Sequence, residues 1–248
     1  MKKLSLAVAV VLAAAALPTV SIAEDSLAYN VAAVSDYRYR GISQSRLKPA
    51  LQAGVDFTKG PFYLGAWAST IKWIKDTKGD ASAEIDLYGG YRGEITKDLA
   101  FDVGALHYGY PRAVTTGWSA TPYANPNTTE LYAGLSYGPV TAKYSHGVTN
   151  LFGNVNSKNS HYLDLSATFD VAGFSVVPHV GYQKVKNTAN ASYTDYSLTV
   201  SKDFNGLVPS LAVVGTDANK SFYVPGAHAN SSKFLGKTAV VVGLKYNF

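Results

Sequence analysis

A stretch in which apolar and polar residues alternate, turn and alternate again decides the fold: Leu51-Gln52-Ala53-Gly54-Val55-Asp56-Phe57-Thr58-Lys59-Gly60-Pro61-Phe62-Tyr63-Leu64-Gly65-Ala66-Trp67-Ala68-Ser69. In its first half every second residue is apolar, from Leu51 to Phe57, and those between are polar or glycine. Successive side chains of a β-strand point to opposite faces, so this period of two predicts a strand with one apolar face. Lys59-Gly60 is a turn sequence, so the stretch predicts an antiparallel hairpin.

The same alternation continues along the chain and predicts twelve strands. They span residues 27–36, 49–58, 61–71, 82–93, 98–109, 128–138, 139–148, 160–170, 173–184, 193–203, 207–216 and 237–248. Tight turns alternate strictly with longer connections near residues 37–48, 72–81, 110–127, 149–159, 185–192 and 217–236. An antiparallel barrel then carries all its long loops at one end, which is typical of outer-membrane barrels. A water-soluble β-sandwich also alternates and is the alternative fold.

The composition agrees with β structure. Of 248 residues only 16% are charged, whereas 18 are Tyr and 22 are Gly. Abundant aromatic residues exclude intrinsic disorder, and the Tyr and Gly content disfavours a helical fold. There is no cysteine, which excludes disulfides, thiolate metal sites and a cysteine nucleophile. The net charge of +5 is mild and scattered, so nucleic acid is not an expected partner.

The N-terminus has the layout of an export signal. Lys2 and Lys3 precede an apolar run from Leu4 to Leu17, and Ser21-Ile22-Ala23 supplies small residues for cleavage. We therefore predict a signal peptide at residues 1–23 and a single barrel domain at residues 24–248. No later segment reaches the roughly 20 apolar residues of a transmembrane helix. The predicted location is the outer membrane of a Gram-negative cell.

Aromatic residues on the apolar face collect at the strand ends next to short turns and termini. They are Tyr29, Phe57, Phe62, Tyr91, Phe101, Tyr137, Phe169, Phe174, Tyr246 and Phe248. Such a ring predicts an interfacial girdle, because amphipathic rings prefer the headgroup layer. The chain also ends on an alternating strand with Tyr246 and Phe248, which predicts an assembly signal for the barrel-assembly machinery.

Charged residues fall on the opposite face of the strands. We predict that they line a wet lumen, because each would cost a few kcal/mol in lipid. The predicted pore-lining residues are Asp56, Glu84, Asp86, Arg92, Asp102, Glu130, Lys143, Asp164, Asp195 and Lys245. Asp36, Arg38 and Arg40 follow the first strand on the polar face. They predict either an Asp–Arg ladder beside the last strand or a charged collar at the external mouth.

The long connections are rich in bases, namely Arg46, Lys48, Lys72, Lys75, Lys78 and Arg112. Solvated loops explain such residues, but lipopolysaccharide phosphates would be the neighbouring counter-charge. Outer-membrane lipid and lipopolysaccharide are therefore the expected partners of the outer surface.

The run Ser35-Asp36-Tyr37-Arg38-Tyr39-Arg40-Gly41-Ile42-Ser43-Gln44-Ser45, followed by the hairpin quoted first, resembles the TorF family of porin-type proteins, also described as the Gcw_chp family of bacterial proteins. The detailed resemblance covers roughly residues 27–93, and the terminal strand fits the same pattern. It implies an outer-membrane location and a pore, and it supplies no catalytic residues.

Motifs for chemistry are absent from the sequence. The five histidines, at 107, 146, 161, 179 and 228, show no metal-binding spacing, and each is expected at an interface or in a loop. No catalytic, cofactor-binding or metal site is predicted. Enzymes of this architecture build sites at the outer rim from separate strands, and His107, His146, Ser145 and Asp36 are the residues here that could do so.

The predicted function is a passive, porin-like channel for small hydrophilic solutes or ions, without enzymatic activity. Twelve strands leave less room than general porins have. Folded-in loops could narrow the lumen further, and residues 110–127 and 217–236 are the predicted candidates. The alternatives are a rim-located enzyme and a plugged barrel with a structural or adhesive role.

Overall fold

The computed structural model describes residues 25–224 and 232–248, so the predicted signal peptide lies outside the described residues. The strands are β1 (Ser26–Val34), β2 (Arg38–Tyr39), β3 (Ile42–Ser43), β4 (Ala50–Lys59), β5 (Phe62–Thr70), β6 (Ala83–Thr96), β7 (Leu99–Gly109), β8 (Thr128–Tyr137), β9 (Val140–Gly147), β10 (His161–Ala167), β11 (Phe169–Val171), β12 (Phe174–Lys184), β13 (Tyr193–Ser201), β14 (Leu207–Thr216) and β15 (Ala239–Asn247). Helices α1 (Trp73–Asp76), α2 (Thr116–Ser119) and α3 (Lys220–Tyr223) are single turns. No helix in these two ranges is long and apolar enough to cross a membrane.

All strands except β2 and β3 form one closed antiparallel barrel. β10 and β11 are two parts of one wall strand, interrupted at Thr168, because both pair with β12. The wall therefore has twelve strands, and the predicted twelve-stranded barrel is confirmed. β1 pairs with β4 on one side and with β15 on the other, which closes the ring. The first strand ends at Val34, two residues earlier than predicted.

The seam of the barrel joins the two ends of the domain. Tyr29 and Phe248 exchange two backbone hydrogen bonds of 3.0 Å, and their rings stack with centroids 6.0 Å apart. Phe62, Tyr91 and Phe101 form a similar run of neighbouring rings on the outside of β5, β6 and β7. These rings lie at the short-turn end, as an interfacial girdle requires.

The outer and inner faces of the barrel wall differ in polarity, as the alternation predicts. Large apolar side chains are exposed on the outside along the whole barrel, Leu51, Leu87, Leu131, Leu163 and Val240 among them. Polar side chains point inward. A surface of this kind is stable in lipid, where apolar groups face the hydrocarbon and every strand edge is paired.

Tyrosines on the inner wall lie over glycines of the neighbouring strand. Tyr88 is the cross-strand partner of Gly65, and Tyr63 is the partner of Gly90. A Cβ atom added at either glycine would collide with the tyrosine beside it. Tyr132 covers Gly104 in the same way. The glycines therefore let these rings lie against the wall instead of across the lumen.

Residues 35–48, which we call the inserted segment, fold into the outer half of the barrel. Its tip is the β2–β3 hairpin, in which Arg40 and Gly41 have φ values of 46° and 76°. Two consecutive positive φ values are those of the two-residue turn that matches the twist of a hairpin. Tyr37, Arg38, Arg40 and Ile42 are all buried.

External loops cover the inserted segment. Ile74 of α1 and Trp118 of α2 are buried in one apolar cluster with Tyr37. On the other side, Ile42 packs with Tyr193 and Leu235. The outer half of the barrel thus has an apolar core of its own, made of the inserted segment below and the loops above.

Candidate functional site

The inner wall carries the charged residues that the sequence predicts as pore-lining. Alternation along the strands turns them inward: Asp56 on β4, Glu84, Asp86 and Arg92 on β6, Asp102 on β7, Glu130 on β8, Lys143 on β9, Asp164 on β10, Asp195 on β13 and Lys245 on β15. Their position on the inner face is a structural finding. Their role in a conducting pore stays a prediction.

Arg40 reaches the far wall of the lumen from the tip of the inserted segment. Its Nη1 and Nη2 donate to Oε1 and Oε2 of Glu130 at 3.0 and 2.6 Å, and Nη1 also donates to Oε1 of Gln183 at 2.6 Å. Its guanidinium carbon lies 4.2 Å from the ring centroid of Tyr162. Burial opposes the charge, but the adjacent Glu130 carboxylate outweighs it and raises the pKa of Arg40 well above its ordinary value. The charged side chain of Arg40 thus links the inserted segment to β8 and β12.

Arg38 holds the other side of the same hairpin. Its Nε donates to Asp36 at 2.5 Å, and its Nη1 donates to the carbonyl oxygens of Gly41, Leu235 and Lys237 at 2.9 to 3.1 Å. Asp36 in turn accepts from the hydroxyl of Ser43 at 2.5 Å. These bonds tie the inserted segment to the chain just before β15.

Aromatic residues of the inserted segment meet the acids of β6. The hydroxyl of Tyr37 donates to Oε1 of Glu84 at 2.5 Å. Burial, followed by the charges of Glu84 and Asp86, raises the pKa of Tyr37 well above its ordinary value, so it stays a neutral donor. Asp86 is buried, and its Oδ1 has no hydrogen-bond partner.

A cluster around His179 lies next to Arg40, whose guanidinium stacks on Tyr162 of this cluster. His179 Nε2 is 2.8 Å from Oδ2 of Asp164, and Nδ1 is 3.7 Å from Oδ1 of Asp195. Tyr162 donates to Oδ2 of Asp195 at 2.9 Å. The expectation that every histidine is interfacial or in a loop is therefore wrong for His179. The alternation of Val177, His179 and Gly181 with outward Pro178 and Val180 is the signal that places it inside.

Nearer the short-turn end, tyrosines and charges share the lumen. Tyr63 donates to Oδ1 of Asp102 at 2.6 Å, and its hydroxyl also meets that of Tyr132. The ammonium of Lys143 lies 3.9 Å from the ring centroid of Tyr132. Asp56 accepts from Tyr88 at 2.5 Å. Charged and hydroxyl groups thus contact one another in this part of the lumen, whereas the inserted segment and the loops above it share an apolar core.

Several expectations need correction. Asp36 and Arg38 form an ion pair next to the chain that enters β15. Together with Arg40 they are buried in the inserted segment, so they do not form a collar exposed at the mouth. The segment that enters the lumen is 35–48, whereas 110–127 and the described part of 217–236 pack over it. The available signal was the two tyrosines, Tyr37 and Tyr39, that precede the Arg40-Gly41 turn.

The residues named for a rim enzyme do not come together. Ser145 points into the barrel, whereas the neighbouring His146 points outward and contacts Tyr144 and Asn159. His107 also lies outside, next to Thr129, and Asp36 is paired with Arg38. His228 falls outside the described residues. Within residues 25–224 and 232–248, no group of His, Asp or Glu could hold a metal ion.

Comparison with known proteins assigns a family and a fold. The family model described as "Bacterial protein of unknown function (Gcw_chp)" matches residues 21–248. No curated protein matches the sequence. A structure of the KdgM porin is similar with a TM-score of 0.55 and 9% identity, over 90% of this chain and 98% of that one. A second KdgM structure, in complex with disordered oligogalacturonate, has a TM-score of 0.55 and 8% identity with the same coverage. A structure of the NanC porin has a TM-score of 0.53 and 10% identity, over 90% of this chain and 99% of that one. At these identities the likeness concerns the fold.

Proposed function

The chain belongs to the Gcw_chp family of bacterial proteins, and we propose that it is an outer-membrane channel through which small hydrophilic solutes or ions diffuse passively. The observation that carries the proposal is a closed barrel with an apolar outside and a charged inside. Most of these charges have partners within the protein, but Oδ1 of Asp86 is buried without one, and water or a polar solute in the lumen would supply it. The porin neighbours support the same function.

Membrane location and assembly form part of the proposal. Residues 1–23 would act as the export signal and be removed. Tyr246 and Phe248, on the outward face of β15, would be read by the barrel-assembly machinery. The outer surface would contact membrane lipid and lipopolysaccharide.

The inserted segment would set the size limit of the channel. It spans from β1 to Glu130 on β8, five wall strands away, so it lies across the lumen. Solute would pass beside it or after it moves. Only small solutes, or ions, fit this arrangement.

The charge of the lumen favours cations or neutral solutes. The inner wall and the inserted segment together carry eight carboxylates (Asp36, Asp56, Glu84, Asp86, Asp102, Glu130, Asp164 and Asp195) and five bases (Arg38, Arg40, Arg92, Lys143 and Lys245), a net charge of −3. Low-dielectric walls focus such a field and enrich counter-ions. A polyanion, such as the oligogalacturonate held by the KdgM porin, would be repelled by this wall.

The apolar core in the outer half favours a second candidate. If the inserted segment never moves, the barrel is plugged and serves the structure of the envelope or adhesion. The packing of Tyr37, Ile74 and Trp118 in one cluster is the observation behind this alternative.

Conductance in planar bilayers tests both candidates. The purified barrel should give stepwise currents in KCl, and these should grow when the inserted segment is removed and residues 35–48 are replaced by a short Gly/Ser linker. Currents from the deletion variant alone would support the plugged barrel. An absence of current from both proteins, each shown to be folded by heat-modifiable migration, would rule out the channel.

A further inference from the structure

The outer surface over β9, β10 and β12 carries three rows of residues in exact cross-strand register. The first row is Ala142, Leu165 and Val180; the second is Tyr144, Leu163 and Tyr182; the third is His146, His161 and Lys184. All nine side chains point away from the lumen. From the membrane midplane outward, the surface therefore changes from aliphatic to aromatic to basic.

The third row lies at the height of the outer headgroups. Lys184 lies ten residue steps along β12 from Phe174 at the short-turn end. At about 3.3 Å per residue and a tilt of about 40°, this spans roughly 25 Å. Apolar bands of outer-membrane barrels are also about 25 Å tall. The basic row thus begins where the hydrocarbon ends.

No described carboxylate forms an ion pair with this row. The acids on the surrounding strands, Glu130, Asp164 and Asp195, all face inward. The exposed Asp217 accepts a hydrogen bond from the backbone N–H of Thr194 at 2.6 Å. Lys184 is the direct cross-strand partner of His161, an arrangement that destabilises a sheet when both are charged. Lys158 and Lys186 are exposed in the adjoining loops, which are joined by a hydrogen bond from Lys186 N to Ser160 Oγ at 2.9 Å. Among described residues, none of these three ammonium groups pairs with an acid.

Two bases of the outer loops are paired with acids. Arg46 forms an ion pair with Asp76, and Arg112 pairs with Asp80 at 2.8 Å. Both were among the loop residues expected to meet lipopolysaccharide. Lys184 differs from these two arginines in forming no ion pair within the described residues.

An apolar strip leads down from the basic row. Leu163 lies between Tyr144 and Tyr182, and Leu165 lies between Ala142 and Val180 in the row below. Leu163 and Leu165 are 53% and 48% exposed, so both are open to lipid. An acyl chain in contact with this strip would place an anionic headgroup at the height of the bases above.

We propose that His161 and Lys184, with Leu163 and Leu165 below them, form a binding site for the phosphorylated glycolipid of the outer leaflet. His146 borders the site, because both of its ring nitrogens are already hydrogen-bonded to Tyr144 and Asn159. The phosphate lies on His161 and Lys184, and one acyl chain lies along the apolar strip. The inference rests on the outer-membrane location in the proposed function, but it does not depend on conductance.

Binding of bis-phosphorylated lipid A to the purified barrel in detergent, measured by native mass spectrometry, tests the site. The double variant Lys184→Gln, His161→Gln should bind at least about fivefold more weakly than the unaltered protein. Lys59→Gln, an exposed base at the opposite end, should bind normally. Dephosphorylated lipid A should bind the unaltered protein and the double variant equally.

Equal binding of lipid A to the double variant and the unaltered protein would overturn the proposal. So would an equal loss for phosphorylated and dephosphorylated lipid, because the phosphate would then have no part. Lys184→Arg should retain binding, which separates charge from side-chain size. Currents of the double variant in bilayers report separately on the channel, so failure of one proposal leaves the other distinguishable.

Discussion

The contacts that hold the tip of the inserted segment against the barrel wall meet at one side chain, that of Arg40. A buried guanidinium is tolerated only when its donors and its charge are both satisfied, and Glu130 and Gln183 supply these partners from two different strands. The charge itself adds little net stability over an apolar contact. The guanidinium instead positions the hairpin, because one planar group with five donors holds its tip against two strands at once.

Arg40→Ala should therefore release the inserted segment. It leaves Glu130 buried without its partner, which costs about 3–5 kcal/mol. We expect larger single-channel conductance and faster proteolysis of residues 35–48. Arg112→Ala is the matched control, because its pair with Asp80 is exposed and contributes at most about 1 kcal/mol. Unchanged conductance in Arg40→Ala would show that the segment is held mainly by its apolar contacts.

Gly41 is required by both its conformation and its surroundings. Its φ is +76°, and an added Cβ would collide with Thr216 and Asp195 on the wall. Gly41→Ala should undock the hairpin, seen as increased protease cleavage after Arg38 or Arg40 in the reconstituted barrel. Gly60→Ala separates the backbone strain from the steric collision, because Gly60 has φ +53° but no atom within 4 Å of the added Cβ. It should cost only about 1 kcal/mol and leave cleavage unchanged.

Barrel strands could be predicted from the sequence because each carries its own signal. Alternation and turn residues are local, as at Asn205-Gly206, where the structure has the tight turn and φ values of 59° and 97°. The inserted segment could not be located in this way. Its position depends on Glu130 and Gln183, which lie 90 and 143 residues from Arg40 along the chain. A single sequence does not show which of its distant residues are in contact.

For the same reason, the sequence could not predict which charged side chains contact one another in the lumen. Face assignment put Arg92 and Lys143 inside, where they lie. The acids Glu84 and Glu130, which share this inner face with them, accept hydrogen bonds from Tyr37 and Arg40 of the inserted segment. Alternation reveals which way a side chain points, but not its height or its neighbour across the lumen.

The terminal strand makes a separate prediction about assembly. Deletion of Phe248 should lower the amount of barrel in the outer membrane while leaving export intact, because both the terminal aromatic residue and two seam hydrogen bonds are lost. Phe248→Ala keeps the backbone bonds, so it tests the ring alone. Phe204→Ala removes another exposed aromatic side chain and should have little effect. Normal levels of heat-modifiable barrel after the deletion would contradict the assembly role.

For the molecule as a whole, the acidic lumen predicts cation selectivity. Reversal potentials under a KCl gradient should show a preference for K⁺ that weakens in high salt, where the Debye length falls to about 3 Å at 1 M. Replacing Glu84 and Asp86 by Gln and Asn should move the reversal potential toward zero. The variant Asp25→Asn, Asp98→Asn loses the same charge at exposed positions and should not. Anion selectivity of the unaltered protein would mean that the arginines and lysines dominate.

The bonds of Arg38 to the carbonyls of Leu235 and Lys237 also constrain the order of folding. The inserted segment follows β1 directly, and those carbonyls come just before β15, so both sides of the seam are bound to the same hairpin. The first and last strands can pair only when some 200 residues of chain have been brought round, which is the slowest kind of contact to form. We therefore expect the hairpin to bind to an open, curved sheet before β1 and β15 pair, so that it is enclosed as the seam forms.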